Sequence, residues 1–245
     1  MFSAPLFAQL LQLTPEEIQK NQQRLEDSQK QFIKSLYSTQ QPIFESDDFS
    51  SGSGSIIRAD HVTGMTALVN RAGTDDAESA WLFLPQYQLW INTTTNVSEA
   101  RSFHNKKILE FVFDHTKNIE SWHTHVDAEY NDGFYTAEQM RDFGPSLYFI
   151  PTQEDVCALM QNTIQNPSHT YTSSIASSRG ALQMFCAPME FDFSNPYVQK
   201  FFYDFCKDEF YFIRDHFRGT SETEFAGLAA TYKRTIKLTF IKPKL

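Results

Sequence analysis

Two histidines separated by one residue, His123 and His125, lie in the stretch SWHTHV. The residues around them favour a β-strand, in which residues i and i+2 project from the same face, so both imidazoles could bind one metal ion. Taken alone, the pair is also compatible with two incidental histidines. A catalytic zinc ion usually has three protein ligands and leaves a fourth position for water, so the metal interpretation requires a third ligand and a nearby general base.

Two acidic residues elsewhere in the chain are candidates for these roles. Asp155 follows Thr152 in the stretch PTQEDV, which opens a predicted helix. It could be the third ligand, and the same stretch is also typical of a threonine cap with an acid in the first helical turn. Both interpretations can hold together. Glu78 precedes the apolar run AWLFL and could serve as the base, although a glutamate at the start of a strand is usually solvated.

The elements that would position these side chains form a sheet flanked by helices. A helix is predicted from Pro15 to about Tyr37, because Thr14 can cap it and Glu17 completes a capping box. The remaining predicted elements, in chain order, are a helix after Asp60 that ends at Gly73, strands at 80–84, 87–91, 108–113 and 119–126, a helix from about Thr152, a hairpin joined through residues 177–180, an aromatic helix from Asn195 to Phe217, and a strand at 235–241.

Composition limits the functions that are open. The chain has 245 residues, enough for one substantial core, and a net charge of −9, which disfavours nucleic acid and leaves basic protein surfaces or small substrates as partners. Its three cysteines are widely and irregularly spaced, so neither a disulfide framework nor a cysteine zinc cluster is indicated. The N-terminal apolar run has no basic residue before it, and no apolar stretch has membrane-spanning length, so we expect a soluble cytoplasmic protein.

The order of these segments resembles the JAMM family of zinc metalloproteases, also called MPN+ or JAB. That family has a helix, a glutamate at the head of an apolar strand, an H-x-H strand and then a serine and an aspartate at a helix start. The matching segments here, which span residues 58–188, are HVTGMTALVNRAGTDDAESAWLFLP, IESWHTHV, PTQEDV and YTSSIASSRGALQMFCAP.

The resemblance implies a function and a role for each residue. His123, His125 and Asp155 would hold Zn²⁺, Glu78 would be the general base, and Thr152 would donate to the oxyanion. The implied reaction is hydrolysis of isopeptide or peptide bonds in conjugates of ubiquitin or a ubiquitin-like protein.

The resemblance also implies a fold of the α/β class, more closely α+β, with a mixed, mostly antiparallel sheet flanked by helices. Together with composition and helix capping, it divides the chain into a helical N-terminal extension at residues 1–45, a Ser/Gly-rich linker at 46–57, the metalloprotease-like domain at 58–188, and a C-terminal extension at 189–245 with the aromatic helix and a strand.

Three features depart from the family pattern. Thr152 stands where the family has serine, which keeps a hydroxyl but adds a methyl group, and Val126 stands where the family has proline. The segment between His125 and Thr152, residues 126–151, is much longer than the connection between the second histidine and the serine in the family. This insertion brings acids that could compete as ligands, and Asp127, at the strand end, ranks below Asp155; the others are Glu129 and Asp132.

Two other functions remain open from the sequence. The chain could be a catalytically silent scaffold of the same fold that acts by binding, or a Phe-rich helical interaction protein with an incidental histidine pair. An amidohydrolase-type barrel with H-x-H on its first strand is disfavoured, because the chain is short and its other histidines lack strand-end context.

Overall fold

In the residues that the structure describes, the chain folds as an α+β protein with a mixed eight-stranded sheet flanked by five helices. The structure is a computed structural model, and it describes residues 14–39, 43–98, 101–127, 150–187, 194–216, 227, 229–230 and 234–241. The predicted fold class is therefore confirmed at the level of a mixed sheet with flanking helices.

The strands of the main sheet lie in the order β1-β2-β4-β3-β7-β8-β9-β10. Neighbouring strands are antiparallel except for the β1/β2 and β7/β8 pairs, which are parallel. Strands β5 and β6 form a separate antiparallel hairpin. The strands are β1 (Phe44–Glu45), β2 (Ser55–Arg58), β3 (Ala80–Leu84), β4 (Leu89–Asn92), β5 (Thr94–Ser98), β6 (Arg101–His104), β7 (Asn118–Thr124), β8 (Thr170–Ser177), β9 (Gly180–Cys186) and β10 (Ile236–Ile241).

Polar caps start the first two helices where the sequence predicts them. Thr14 and Glu17 form the expected capping box, Asp60 caps the second helix by accepting the N–H of Thr63, and Gly73 ends that helix. The helices are α1 (Pro15–Leu36), α2 (His61–Ala72), α3 (Lys106–His115), α4 (Gln153–Gln165) and α5 (Pro196–His216).

The sheet has a separate core on each face. Helix α2 packs against a tryptophan-rich face that includes Trp81, Trp90 and Trp122, and Gly64 of this helix lies so close to Trp90 that a Cβ there would be 2.0 Å from the indole. The opposite face carries the larger cluster, to which α1, α3, α4 and α5 all contribute buried side chains. Because side chains alternate along a strand, Trp122 belongs to the α2 face and His123 to the opposite face.

One predicted strand is a helix in the structure. Residues 108–113 were expected to be extended because they form an apolar run, but they lie within α3. Asn105 caps this helix by accepting the N–H groups of Lys107 and Ile108, and Ile108 and Val112 are buried four residues apart on one side. The helical spacing of the two buried residues, together with the asparagine cap, overrides the strand propensity of the run.

The Ser/Gly-rich stretch predicted as a linker is an ordered loop between β1 and β2. Its Phe49 is buried against Trp81 and Trp90, and Ser50 donates to the carboxylate of Asp48 through its backbone N–H. The segments predicted as N-terminal and C-terminal extensions also join the sheet, through β1 and β10, and α1 buries Phe32 in the larger core.

Within the described residues, none of the helices has the combination of length and apolar character that crossing a bilayer requires.

Candidate metal centre

The two histidines converge at the end of β7, as the sequence predicts. Their Nε2 atoms are 3.1 Å apart. His123 is paired with Ala80 of β3, and the backbone N–H of His125 donates to the carbonyl of Ala176 at the end of β8, so strands on both sides hold this segment in place. The imidazoles therefore project from the C-terminal end of a central strand, on the face that α4 covers.

Asp155 joins the histidines from the first turn of α4. Its Oδ1 atom is 3.6 Å from Nε2 of His123, and the ligand atoms of the three residues all lie within 4.8 Å of one another. His125 is buried, and the side chains of His123 and Asp155 are 13% and 20% exposed. In the part of the chain that the structure describes, this is a group of three side chains that could hold a metal ion.

Helix capping explains why the aspartate points at the imidazoles. Oδ2 of Asp155 accepts the backbone N–H of Thr152 at 2.8 Å, and Oγ1 of Thr152 accepts the backbone N–H of Asp155 at 3.2 Å. One carboxylate oxygen is thus committed to the cap while the other faces His123. The structural and the ligand interpretations of this residue, which the sequence left open, are geometrically compatible.

The electrostatics of the group favour a bound cation. Burial raises the pKa of Asp155, but the charge of His123, the hydrogen bond with it, the charge of His125 and the N–H of Thr152 outweigh burial and hold the pKa well below its usual range. The carboxylate is therefore ionised, as a metal ligand must be. Two imidazole nitrogens 3.1 Å apart cannot both direct lone pairs at each other without a proton or a cation between them.

The donor set limits which ion would fit. Two imidazole nitrogens and one carboxylate oxygen suit Zn²⁺ and similar transition metals, whereas Mg²⁺ and Ca²⁺ prefer oxygen ligands throughout. The three residues therefore fit a zinc-type site with a position left for water.

Glu78 lies two residues before β3, next to the strand that pairs with β7. Thr124 donates its backbone N–H to the carbonyl of Ser79 at 3.0 Å, and Ser79 donates its N–H to Oγ1 of Thr124 at 2.8 Å. Continuing this antiparallel register by one residue places Glu78 opposite His125, and directly opposed residues project to the same side of a sheet. Glu78 is half-buried and borders an open cavity of about 520 Å³.

The remaining candidates from the sequence are not part of this group. Asp127 accepts a hydrogen bond from Oγ of Ser178 at 2.7 Å, so it is engaged by the β8–β9 turn. Glu129 and Asp132 lie outside the described residues, as does most of the predicted insertion, residues 128–149.

Sequence reasoning missed a third histidine close to the centre. His104 ends β6 and its two ring nitrogens lie 2.6 Å from Oγ1 of Thr93 and 2.7 Å from Oγ of Ser121. Burial, with a smaller contribution from the charge of His123, lowers the pKa of His104 to about 3, so this imidazole is neutral. No spacing pattern in the sequence connects His104 with residues 121–125, because only the packing of the β5–β6 hairpin against the main sheet brings them together.

Comparison of the chain with protein-family models, curated proteins and solved structures gave no match.

Proposed function

We propose that this chain is a zinc-dependent hydrolase of the JAMM type that cleaves isopeptide or peptide bonds. The observation that supports the proposal is the convergence of His123, His125 and Asp155 within 4.8 Å, from elements 30 residues apart in the chain, with Glu78 in register with His125. The same proposal includes an MPN-like arrangement: a helix, a strand preceded by the glutamate, a strand that carries the H-x-H pair, and a capped helix.

Each proposed catalytic residue has a defined task. Zn²⁺ held by the three ligands would supply Lewis-acid chemistry, which activates water and polarises a carbonyl. Glu78 accepts a proton from the attacking water and returns it to the departing amine. Thr152 uses its hydroxyl oxygen to accept a backbone N–H, and the hydroxyl proton is left to donate to the developing oxyanion.

The proposed substrates are conjugates of ubiquitin or a ubiquitin-like protein, in which a C-terminal tail is joined to a lysine. An extended tail of this kind is recognised mainly through its backbone, so it needs few particular side chains from the enzyme. The net charge of −9 favours a basic surface on the conjugate. We place this activity in the cytoplasm.

The alternative is a catalytically silent scaffold of the same fold, and one observation favours it. The hydroxyl oxygen of Thr152 is engaged in the cap of α4, and its extra methyl group lies where the family has the smaller serine. Such a scaffold would bind conjugates without zinc and without cleaving them.

The test is incubation of the purified protein with a panel of ubiquitin-like conjugates, with and without a chelator. We expect cleavage that the chelator abolishes and that added zinc restores. Glu78→Gln should retain zinc and lose cleavage, whereas the matched variant Glu110→Gln, on the exposed side of α3, should retain both. Full cleavage by Glu78→Gln would refute the assignment of the base, and cleavage that resists chelation would refute the zinc mechanism.

A further inference from the structure

An open cavity of about 520 Å³ borders Glu78 and is lined by none of the three metal ligands. Its walls are the loop between β1 and β2, the C-terminal end of α2 with the segment that follows it, and the junction of β4 with β5. Clefts that bind ligands in proteins usually measure about 300–1,000 Å³. The cavity therefore has room for part of a substrate that extends past Glu78.

The wall formed by the Ser/Gly-rich loop is held in place by the core beneath it. Phe49 packs with its ring centroid 5.2 Å from that of Trp81. Asn92, which is 3% exposed, donates its side-chain N–H to the carbonyl of Ser51 at 2.9 Å, and its backbone carbonyl accepts the N–H of Gly54 at 2.8 Å. The cavity is therefore bounded by a fixed surface on this side.

The cavity carries a net negative charge. The charged side chains in its lining are one arginine and three acids. Nε of Arg71 donates to Oδ2 of Asp75 at 2.6 Å, so these two charges offset each other. The carboxylates of Asp76, which is exposed, and Glu78 supply the remaining charge. Charge complementarity therefore favours a cationic ligand over an anionic one.

The proposed reaction determines which part of a substrate would extend into this cavity. The oxygen of water bonds to the carbonyl carbon, the C–N bond breaks, and Glu78 returns the proton taken from water to the departing nitrogen. That transfer requires the carboxylate to lie within about 2.6–3.2 Å of the nitrogen. The nitrogen and the polypeptide attached to it therefore lie on the Glu78 side of the scissile bond, whereas the acyl tail leads away from the carbonyl carbon in the other direction. At neutral pH, lysine released in this way takes a further proton from solvent and becomes a cation.

We propose that this cavity is the subsite for the lysine-bearing segment of the conjugate, and that it favours segments in which basic residues flank the modified lysine. This inference rests on the proposed function and specifies which half of the substrate the cavity holds. Basic flanks would be attracted by the carboxylate of Asp76, and acidic flanks would be repelled. Because Asp76 is exposed, the attraction should weaken as the salt concentration rises.

The test compares conjugates that differ only in the residues next to the modified lysine. One ubiquitin-like tail is joined to the lysine of three peptides of equal length, whose flanking residues are arginine, glutamine or glutamate. The value of kcat/KM is measured for each substrate at low and at high salt. The ratio between the arginine-flanked and the glutamine-flanked substrate reports the preference of the cavity, because changes in the chemical step affect both substrates alike.

Two substitutions change the cavity in independent ways. Asp76→Lys reverses a charge in its lining, and Gly52→Trp places a large side chain in its open space, because a Cβ at Gly52 would meet no heavy atom within 4 Å. Asp204→Lys is the matched control, since this exposed aspartate lies on α5, which packs on the opposite face of the sheet from α2. Zinc content and thermal unfolding verify that each variant is folded and loaded.

We expect the wild type to cleave the arginine-flanked substrate about threefold better than the glutamine-flanked one at low salt, and the glutamate-flanked one least well. Asp76→Lys should reverse that order, and Gly52→Trp should bring the ratio close to one. Asp204→Lys should leave the ratio unchanged. At high salt the ratio should approach one for every protein.

Equal cleavage of the three substrates by the wild type, or a ratio that Asp76→Lys and Gly52→Trp both leave unchanged, would overturn this inference and leave the hydrolase proposal intact. If the wild type cleaves none of the conjugates, the hydrolase proposal fails, and direct titration with the unmodified arginine-flanked peptide then tests the cavity. Binding that both substitutions abolish at low salt would support a subsite for basic segments. Absence of binding, or binding that both substitutions leave unchanged, would overturn it.

Discussion

Replacement of His104 by glutamine should flatten the dependence of stability on pH below neutrality. Burial lowers the pKa of this imidazole from 6.5 to about 3 in the folded protein. Between those two values the unfolded chain binds a proton at this residue and the native protein does not. The stability contributed by neutral His104 is therefore complete above pH 6.5 and is lost as the pH falls toward 3.

The size of the effect follows from the same two values. A protonation difference of one proton changes the free energy of unfolding by about 1.4 kcal/mol per pH unit. Acidification from 6.5 to about pH 5 should therefore cost the wild-type protein about 2 kcal/mol through this residue. His104→Gln lacks that contribution, although the loss of the bonds to Thr93 and Ser121 should lower its stability at pH 7 by about 1–3 kcal/mol.

The assay is urea unfolding of the metal-free protein at several pH values between 5 and 7, in the presence of a chelator. The two stability curves should converge as the pH falls. Thr163→Val serves as the control, because it removes a buried hydrogen bond and no titrating group, so its curve should run parallel to that of the wild type. Parallel curves for His104→Gln and the wild type would refute the conclusion that His104 is held neutral.

Three further outcomes test the site and its scaffold. His123→Ala should lose zinc, measured as metal content after dialysis, because it removes one of three ligands; stoichiometric zinc in this variant would place the ion elsewhere. Thr152→Ser should keep the cap of α4 and cleave conjugates faster than the wild type, because it removes only the methyl group; slower cleavage would show that the methyl group does not obstruct the reaction. Gly64→Ala should destabilise the fold by about 3 kcal/mol in urea unfolding, because the added Cβ would overlap Trp90. The control Gly52→Ala should change stability little, because the Cβ added there would meet no neighbouring heavy atom within 4 Å. Equal effects of the two substitutions would contradict the packing argument.

Local sequence patterns were sufficient to predict the parts of the site that depend on residues close together in the chain. The cap at Thr152 and the alternation around His123 depend on neighbouring residues, and both the capped helix and the convergence of the imidazoles are present. The approach of Asp155 to the histidines was expected from the resemblance and is present in the geometry. The roles of Glu78 and Thr152 in a reaction stay predictions.

Long-range packing decided the features that the sequence did not predict. Residues 108–113 have the composition of a strand, and the burial of Ile108 and Val112 in the larger core, together with the cap at Asn105, makes them helical. The loop at 46–54 has the composition of a flexible linker, and it is held by Phe49 entering a cluster of tryptophans from distant strands. His104 was overlooked for the same reason, since its partners are Thr93, which lies between β4 and β5, and Ser121 on β7.

Asp155 uses one carboxylate oxygen to cap α4 and turns the other toward His123, and this division affects how the protein would acquire and exchange its ion. The oxygen that caps α4 does not face the imidazoles, so departure of the ion would leave the first turn of the helix and the carboxylate where they are. The empty and loaded proteins should then share one backbone, and loading should need no refolding step. We expect the apoprotein to take up zinc directly from a buffered solution, through the exposed parts of His123 and Asp155.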